Sequence, residues 1–135
     1  MTKSPSWLPA PDDSNLPFFE GAKEGRLRLQ RCNDCSAWMF PVRVRCQSCG
    51  STNVKWADAS GRGTVYTHAR LQREYHPRHS GRLPLVMVQV DLEEGVRVNT
   101  NLIDCDPEKV KAGMSVQVAI EHSPSGEAVV VFRPA

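Results

Sequence analysis

Four of the five cysteines fall in two tight pairs, Cys32-Asn33-Asp34-Cys35 and Cys46-Gln47-Ser48-Cys49, with ten residues between the pairs. A C-x-x-C turn folds both sulfurs to one side, and two such turns supply the four thiolates that a tetrahedral Zn²⁺ takes at about 2.3 Å each. Ten residues extend at most about 33–36 Å, enough to run out and back as a hairpin between the turns. The link is shorter than the roughly 15–20 residues common between paired C-x-x-C units, which suits a compact ribbon. Gly50 offers the positive φ that such a turn uses, whereas the equivalent position in the first pair is Ser36, a less favourable residue there. Four thiolates leave no open coordination position, so the metal on Cys32, Cys35, Cys46 and Cys49 is read as structural, zinc first and iron as the other occupant. A redox C-x-x-C ordinarily stands singly beside a βαβ pattern, and disulfides do not suit a reducing compartment; both rank well below a metal.

The remaining reactive side chains do not assemble by spacing. Cys105 lies between Asp104 and Asp106 with no histidine or asparagine placed beside it, and reads as a small half-buried residue. His76 and His79 are three apart but sit among Pro77 and Gly81, so no helical face aligns them. A Ser-His-Asp arrangement needs a geometry that no spacing here supplies. No self-contained active site is legible. Between Arg62 and Arg82 stand five arginines and a single acid, Glu74. Guanidinium forks suit phosphate and carboxylate alike, so Arg70, Arg73, Arg78 and Arg82 are candidates for the phosphates of a nucleotide or an acidic partner surface. A solvated loop between two strands is the competing reading.

The elements that must hold these residues read as mainly β. Residues 1–13, with Pro5, Pro9 and Pro11, form an extended lead, and a short helix is expected over 16–24, with Pro17 in its first turn and Gly25 as its stop. Residues 27–31 alternate as a strand into the first thiol pair, 38–45 return to the second, and 54–58 close the module. Ser60-Gly61-Arg62-Gly63 is the best internal boundary. Beyond it, strands are expected at 64–71, 85–92, 96–103, 114–121 and 128–132, with one helical turn at Pro107. Five strands without βαβ spacing point to a small closed barrel of the oligonucleotide/oligosaccharide-binding (OB) type. The expected division is 1–25 extension and helix, 26–60 ribbon, 61–135 barrel.

Composition sets the outer limits. At 135 residues, 40% hydrophobic and 24% charged, the chain is an ordinary globular domain or two very small ones. No apolar run approaches the roughly 18–20 residues of a membrane span, and the N-terminus leads into prolines rather than an apolar signal core, so a cytoplasmic protein with no membrane partner is expected. The net charge of +2 does not make nucleic acid the default partner, and from Leu83 onward eight acids face four bases.

In order along the chain, Pro17-Phe18-Phe19-Glu20-Gly21 through Leu27, the four cysteines with Phe40-Pro41 and Arg43 between them, Cys49-Gly50-Ser51, Ser60-Gly61-Arg62-Gly63-Thr64-Val65-Tyr66 and Val131-Phe132-Arg133-Pro134 resemble the DUF35 family over about residues 15–135. The loop Tyr75-His76-Pro77-Arg78-His79-Ser80-Gly81-Arg82 matches no phrase of that pattern. The resemblance implies a rubredoxin-like zinc ribbon joined to an OB barrel. It further implies a non-catalytic accessory subunit, in a hetero-oligomer with a thiolase-fold catalytic subunit acting on acyl-CoA: thiolysis, acyl transfer, or aldol-type side-chain removal in steroid degradation. A CoA ester is then the expected ligand of the complex. Phe18 and Phe19 point about 100° apart on a helix too short to stand alone, so one is expected against the ribbon and the other on the partner, the alternative being that both rings fill the cleft between ribbon and barrel. The alternative is a single-stranded nucleic-acid binder, which needs aromatic platforms and a basic groove. Six of the nine aromatics, Trp7, Phe18, Phe19, Trp38, Phe40 and Trp56, precede the barrel, which favours the first reading.

Overall fold

A computed structural model describes residues 12–79 and 81–135 of the chain; the proline-bearing lead at 1–11, including Trp7, lies outside the described residues. Helix α1 (Leu16–Lys23) forms as expected, with Pro17 in its first turn, where a missing N–H costs nothing. Gly25, at φ +79°, ends it and donates to the Ala22 carbonyl. The helix buries Gly21 and Ala22, and a Cβ on Gly21 would come within 2.7 Å of Arg28 Cβ, so α1 sits hard against the strand that follows.

That strand is β1 (Arg28–Cys32), the centre of a three-stranded antiparallel sheet with β2 (Trp38–Met39) on one side and β3 (Val54–Asp58) on the other. The return strand expected over 38–45 is confined to two residues. Pro41 has no N–H to give a ladder. Two residues on, the Gln30 side chain substitutes for the missing rung: its Oε1 accepts from the Arg43 N–H at 2.7 Å and its Nε2 donates to the Arg43 carbonyl at 2.9 Å.

The barrel closes in the order β4-β5-β6-β8-β7. Its strands are β4 (Arg62–Leu71), β5 (Leu85–Leu92), β6 (Arg97–Leu102), β7 (Ser115–His122) and β8 (Ala128–Pro134), with a single 3₁₀ turn at Pro107–Lys109 between β6 and β7. Val86, Val88, Val90 and Leu92 are buried along β5, the period of two that puts one face of a strand inside. Closure runs through Arg62↔Gln117 between β4 and β7, and through one parallel pairing, Leu102↔Phe132, between β6 and β8. Phe132 is wholly buried there. At the ribbon–barrel boundary, Gly61 (φ +78°) accepts from the Val118 N–H at 2.7 Å, and a Cβ in its place would stand 2.5 Å from Val118 Cγ1.

Two apolar clusters result. The larger joins Ala22 of α1 and Leu27 and Leu29 of the ribbon to the barrel valines and Phe132, so ribbon and barrel share one core. The smaller holds Cys32, Met39 and Cys46, with Ala37 and Val54 against them. Among the described residues, no helix is long and apolar enough to cross a membrane.

Candidate functional site

The two thiol pairs are built alike, residue for residue. In each, the N–H four residues after the first cysteine donates to that cysteine's carbonyl: Ser36 to Cys32 at 3.0 Å and Gly50 to Cys46 at 2.8 Å. In each, the first cysteine's own N–H reaches the carbonyl five residues on, Ala37 and Ser51, both at 2.8 Å. Both turns end on a left-handed residue, Ser36 at φ 66° and Gly50 at φ 78°. The first turn therefore adopts the same geometry as the second despite its serine, a conformation that costs a residue with Cβ about 1–2 kcal/mol. The first cysteine of each pair is buried and the second exposed.

This pairing brings all four sulfurs within 4.8 Å of one another, with Cys32 and Cys49 at 3.6 Å and Cys35 and Cys46 at 3.5 Å. Four sulfurs about 2.3 Å from a central ion stand about 3.8 Å apart along the tetrahedron's edges. The donor set therefore fits a tetrahedral metal. Its electrostatics suit one. The N–H groups of Cys49 and Ser48 draw the Cys46 thiol down to about 6, and Cys32 is lowered likewise, first by the Cys35 N–H. At Cys49 the largest single influence, the Ser51 N–H, lowers the thiol. The Cys32 thiol, burial, Cys35 and Cys46 outweigh it and push Cys49 up to about 12. Four adjacent thiolates cannot all ionise without a cation among them. With all four positions taken by sulfur, such an ion would hold the fold together and leave no place for substrate.

The shell around the sulfurs includes residues the thiol spacing does not reveal. Arg31, immediately before Cys32, donates from Nε to the Ser36 carbonyl at 3.1 Å; Arg45, immediately before Cys46, donates from Nη1 to the Gly50 carbonyl at 3.2 Å. Each arginine clamps the left-handed end of its own turn and brings a positive charge toward a tetrathiolate. The signal was present as a repeated Arg-Cys-x-x-Cys. Asn33 Nδ2 donates to Asn53 Oδ1 at 2.9 Å, and the Ser51 hydroxyl donates to the Asp34 carboxylate, so side chains also tie the two turns together.

The second candidate is a cleft of about 710 Å³ between α1, the ribbon and the barrel. Phe18, Phe19 and Phe40 line it from the helix and ribbon. Phe18 and Phe19 both face this cleft, as in the alternative expectation, edge to face with centroids 5.4 Å apart; Phe18 lies 6.3 Å from Phe40 and packs on the shared core. From β4, β5 and the loop between them come Ala69, Met87 and Arg82. Arg82 donates to Glu121 at 3.1 Å, with side chains 16% and 27% exposed.

The other predicted arginines are dispersed. Arg70 is paired with Glu108 beside a smaller hollow, and Arg73 is exposed and lines neither. The side chain of Arg78 lies outside the described part. Cys105 is half-buried against the barrel core. On the barrel's outside, the Arg97 guanidinium lies 3.4 Å from the Tyr66 ring centroid and is held by Asp91 at 2.7 Å, which occupies that face of the ring.

Comparison with known proteins places both halves. Residues 19–55 match the model described as the ChsH2 rubredoxin-like zinc ribbon domain, and residues 56–121 the ChsH2 C-terminal OB-fold domain. The chain is 35% identical over 127 residues to a probable enoyl-CoA hydratase alpha subunit of Thermomonospora curvata, covering 94% of this chain and 39% of that one. It is 35% identical over 94 residues to a DUF35 domain-containing scaffold protein of Methanocaldococcus jannaschii, covering 68% of this chain and 65% of that one. It thus spans about two fifths of the hydratase subunit and just under two thirds of the scaffold protein. Among solved structures, a chain of the Ltp2-ChsH2(DUF35) aldolase superposes with a TM-score of 0.83 at 35% identity, over 94% of this chain and 98% of that one. A ribbon with a four-cysteine metal centre, fused through a shared core to a five-stranded OB barrel, makes this chain a member of the DUF35 family.

Proposed function

We propose that this chain is a non-catalytic accessory subunit of an acyl-CoA-processing enzyme, a cytoplasmic hetero-oligomer whose catalytic partner has a thiolase fold. The observation that carries the reading is the correspondence with the DUF35 chain of the Ltp2-ChsH2 aldolase, which extends over 98% of that chain rather than over one module. The enoyl-CoA hydratase subunit among the relatives supports the same substrate class. In this reading the partner carries out thiolysis, acyl transfer or retro-aldol cleavage, and this chain stabilises it and completes its substrate surface. The metal is zinc, with iron as the competing occupant, and its work is to hold the two cysteine turns in one arrangement. Phe19 and the 40%-exposed Leu16 on α1 are the contact proposed for the partner. Arg70, Arg73, Arg78 and Arg82 remain the candidates for CoA phosphates or an acidic partner surface.

The test is recovery of the tagged chain from its native host, with the associated proteins identified by mass spectrometry and the purified chain assayed alone. A thiolase-fold acyl-CoA enzyme in stoichiometric yield, and turnover only in its presence, is the expected result. Salt-dependent retention on single-stranded DNA without such a partner would reverse the reading.

A further inference from the structure

We propose that the four cysteines are a site of reversible oxidation, at which peroxide closes two disulfides across the turns, Cys32–Cys49 and Cys35–Cys46, so that a bound metal is given up while the ribbon stays folded. The reading rests on how exposure and distance combine. Cys35 and Cys49 are exposed, whereas Cys32 and Cys46 are buried. Each exposed sulfur lies next to the buried sulfur of the other turn, Cys49 at 3.6 Å from Cys32 and Cys35 at 3.5 Å from Cys46. A disulfide measures about 2.05 Å, so each pair has about 1.5 Å left to close. Both bonds fit in one molecule, since together they use each cysteine once. Within a turn, a backbone N–H engages the first sulfur: Cys32 Sγ accepts from the Cys35 N–H at 3.5 Å, and Cys46 Sγ from the Ser48 N–H at 3.3 Å. A bond between the two cysteines of one turn would disturb the contact that shapes it.

Reactive cysteines are accessible and sit in electropositive surroundings. Here the Arg31 guanidinium bonds the Ser36 carbonyl and the Arg45 guanidinium the Gly50 carbonyl, so each charge is anchored on the residue that follows an exposed cysteine. The exposed sulfur attacks one oxygen of hydrogen peroxide and breaks the O–O bond. The sulfur becomes a sulfenic acid, and the other oxygen leaves as hydroxide. The buried sulfur across the gap then attacks the sulfenic sulfur, forms the S–S bond and expels a second hydroxide. Two protons from solvent turn the hydroxides into water. The two sulfurs have lost two electrons, and one peroxide has gained them. A disulfide sulfur is no longer the thiolate that ligates metal, so the ion loses its donors. The crossed bonds join residues 17 and 11 apart and tie one turn to the other, which restricts the chain between them.

The test oxidises the zinc-loaded full chain with hydrogen peroxide, reads released zinc with a chromophoric chelator, and maps disulfides by mass spectrometry of unreduced peptides. One zinc released for every two peroxides consumed, with the pairs Cys32–Cys49 and Cys35–Cys46, is expected. Dithiothreitol with added zinc should restore the starting protein. Hydrogen exchange gives a second readout: residues 33–53 should stay protected in the oxidised chain and lose protection in the reduced chain stripped of metal. Cys105→Ser, which removes the half-buried thiol outside the cluster, should release zinc at the wild-type rate. Zinc retained under excess peroxide, or a release that depends on Cys105, overturns the inference. So do the in-turn pairs Cys32–Cys35 and Cys46–Cys49, irreversible sulfonic acids, or a segment 33–53 as open in the oxidised chain as in the reduced metal-free one. None of these measurements involves a partner or acyl-CoA, so their outcome leaves the subunit reading untouched.

Discussion

Removing the metal should unfold one end of the molecule and leave the other standing. The perturbation is chelation, or Cys46→Ser, which takes away a buried soft ligand. The apolar cluster at the metal end is small, Met39 and two cysteines with Ala37 and Val54 against them, and burying a methionine contributes about 1.5–3 kcal/mol. Ordering each residue costs about 1–2 kcal/mol, and residues 33–53 contain only the two rungs of β2. Structural zinc supplies about 10–16 kcal/mol in comparable small sites, several times what that cluster supplies. At the other end of β1, Leu27 and Leu29 belong to the barrel's core, and Arg28↔Asp58 and Leu29↔Ala57 pair β1 with β3. Fraying should therefore stop near Gln30. Hydrogen exchange read by mass spectrometry should show residues 33–53 losing protection on chelation while β5 to β8 keep theirs. Barrel strands that lose protection in step with 33–53, or a segment 33–53 that stays protected without metal, would refute the reasoning.

Other substitutions isolate single causes. Gly61→Ala combines a left-handed backbone with overlap on Val118 Cγ1 and should cost about 2–4 kcal/mol in chemical denaturation. Gly50→Ala, at the same φ with nothing within 4 Å, should cost only about 1–2, and equal costs would contradict the steric part. Arg31→Met with Arg45→Met should lower metal affinity about tenfold in competition with a chromophoric chelator, the range for groups that orient ligands, and an unchanged affinity would leave the clamps without a role. Asp58 is held below the usual carboxylate range by the Arg26 and then the Arg28 guanidinium. Its contribution, about 1 kcal/mol or less after solvent screening, is present above the unfolded value near 4 and lost as pH falls through the lower folded value. The stability gap between wild type and Asp58→Asn should thus be flat from pH 8 to 5 and close in more acidic solution; a gap that widened with acid would be the wrong sign. Phe18→Ala should lower the melting temperature by the equivalent of about 1–3 kcal/mol because its ring packs on the shared core. Phe19→Ala should chiefly weaken assembly, by about 1–3 kcal/mol, and unchanged assembly removes Phe19 from the partner contact.

What was legible in advance follows from how local each cause is. The metal ligands could be read because a C-x-x-C turn carries its geometry within a few residues, and β5 because its valines alternate over the whole strand. β2 was read too long because the residue that replaces its rungs, Gln30, lies in another strand and looks like any polar strand residue. The clamps of Arg31 and Arg45 became visible only once the positive-φ carbonyls they hold were in place, although the repeat that signals them is in the chain. Of the cleft, only Phe18 and Phe19 could be anticipated, since its walls run from Phe18 to Phe132 and no window of sequence contains them. Similarly, the pairing of Arg82 with Glu121 joins residues 39 apart, and without it the basic segment looks like uncommitted charge.

Leu27 and Leu29 lie in the same packed interior as Val90 and Phe132, so the joint between the two halves is a weld and not a hinge. A body without a hinge presents the metal end, α1 and the cleft at fixed separations and angles. A partner that touches two of these regions meets the second already aligned once it has engaged the first. The second contact is then made at a preset effective concentration, with little further loss of orientational freedom. Such a bracket would locate a partner by its dimensions as much as by its contacts. Inserting one residue at the weld, with every contacting side chain unchanged, would therefore move the two halves out of step with the surface they fit.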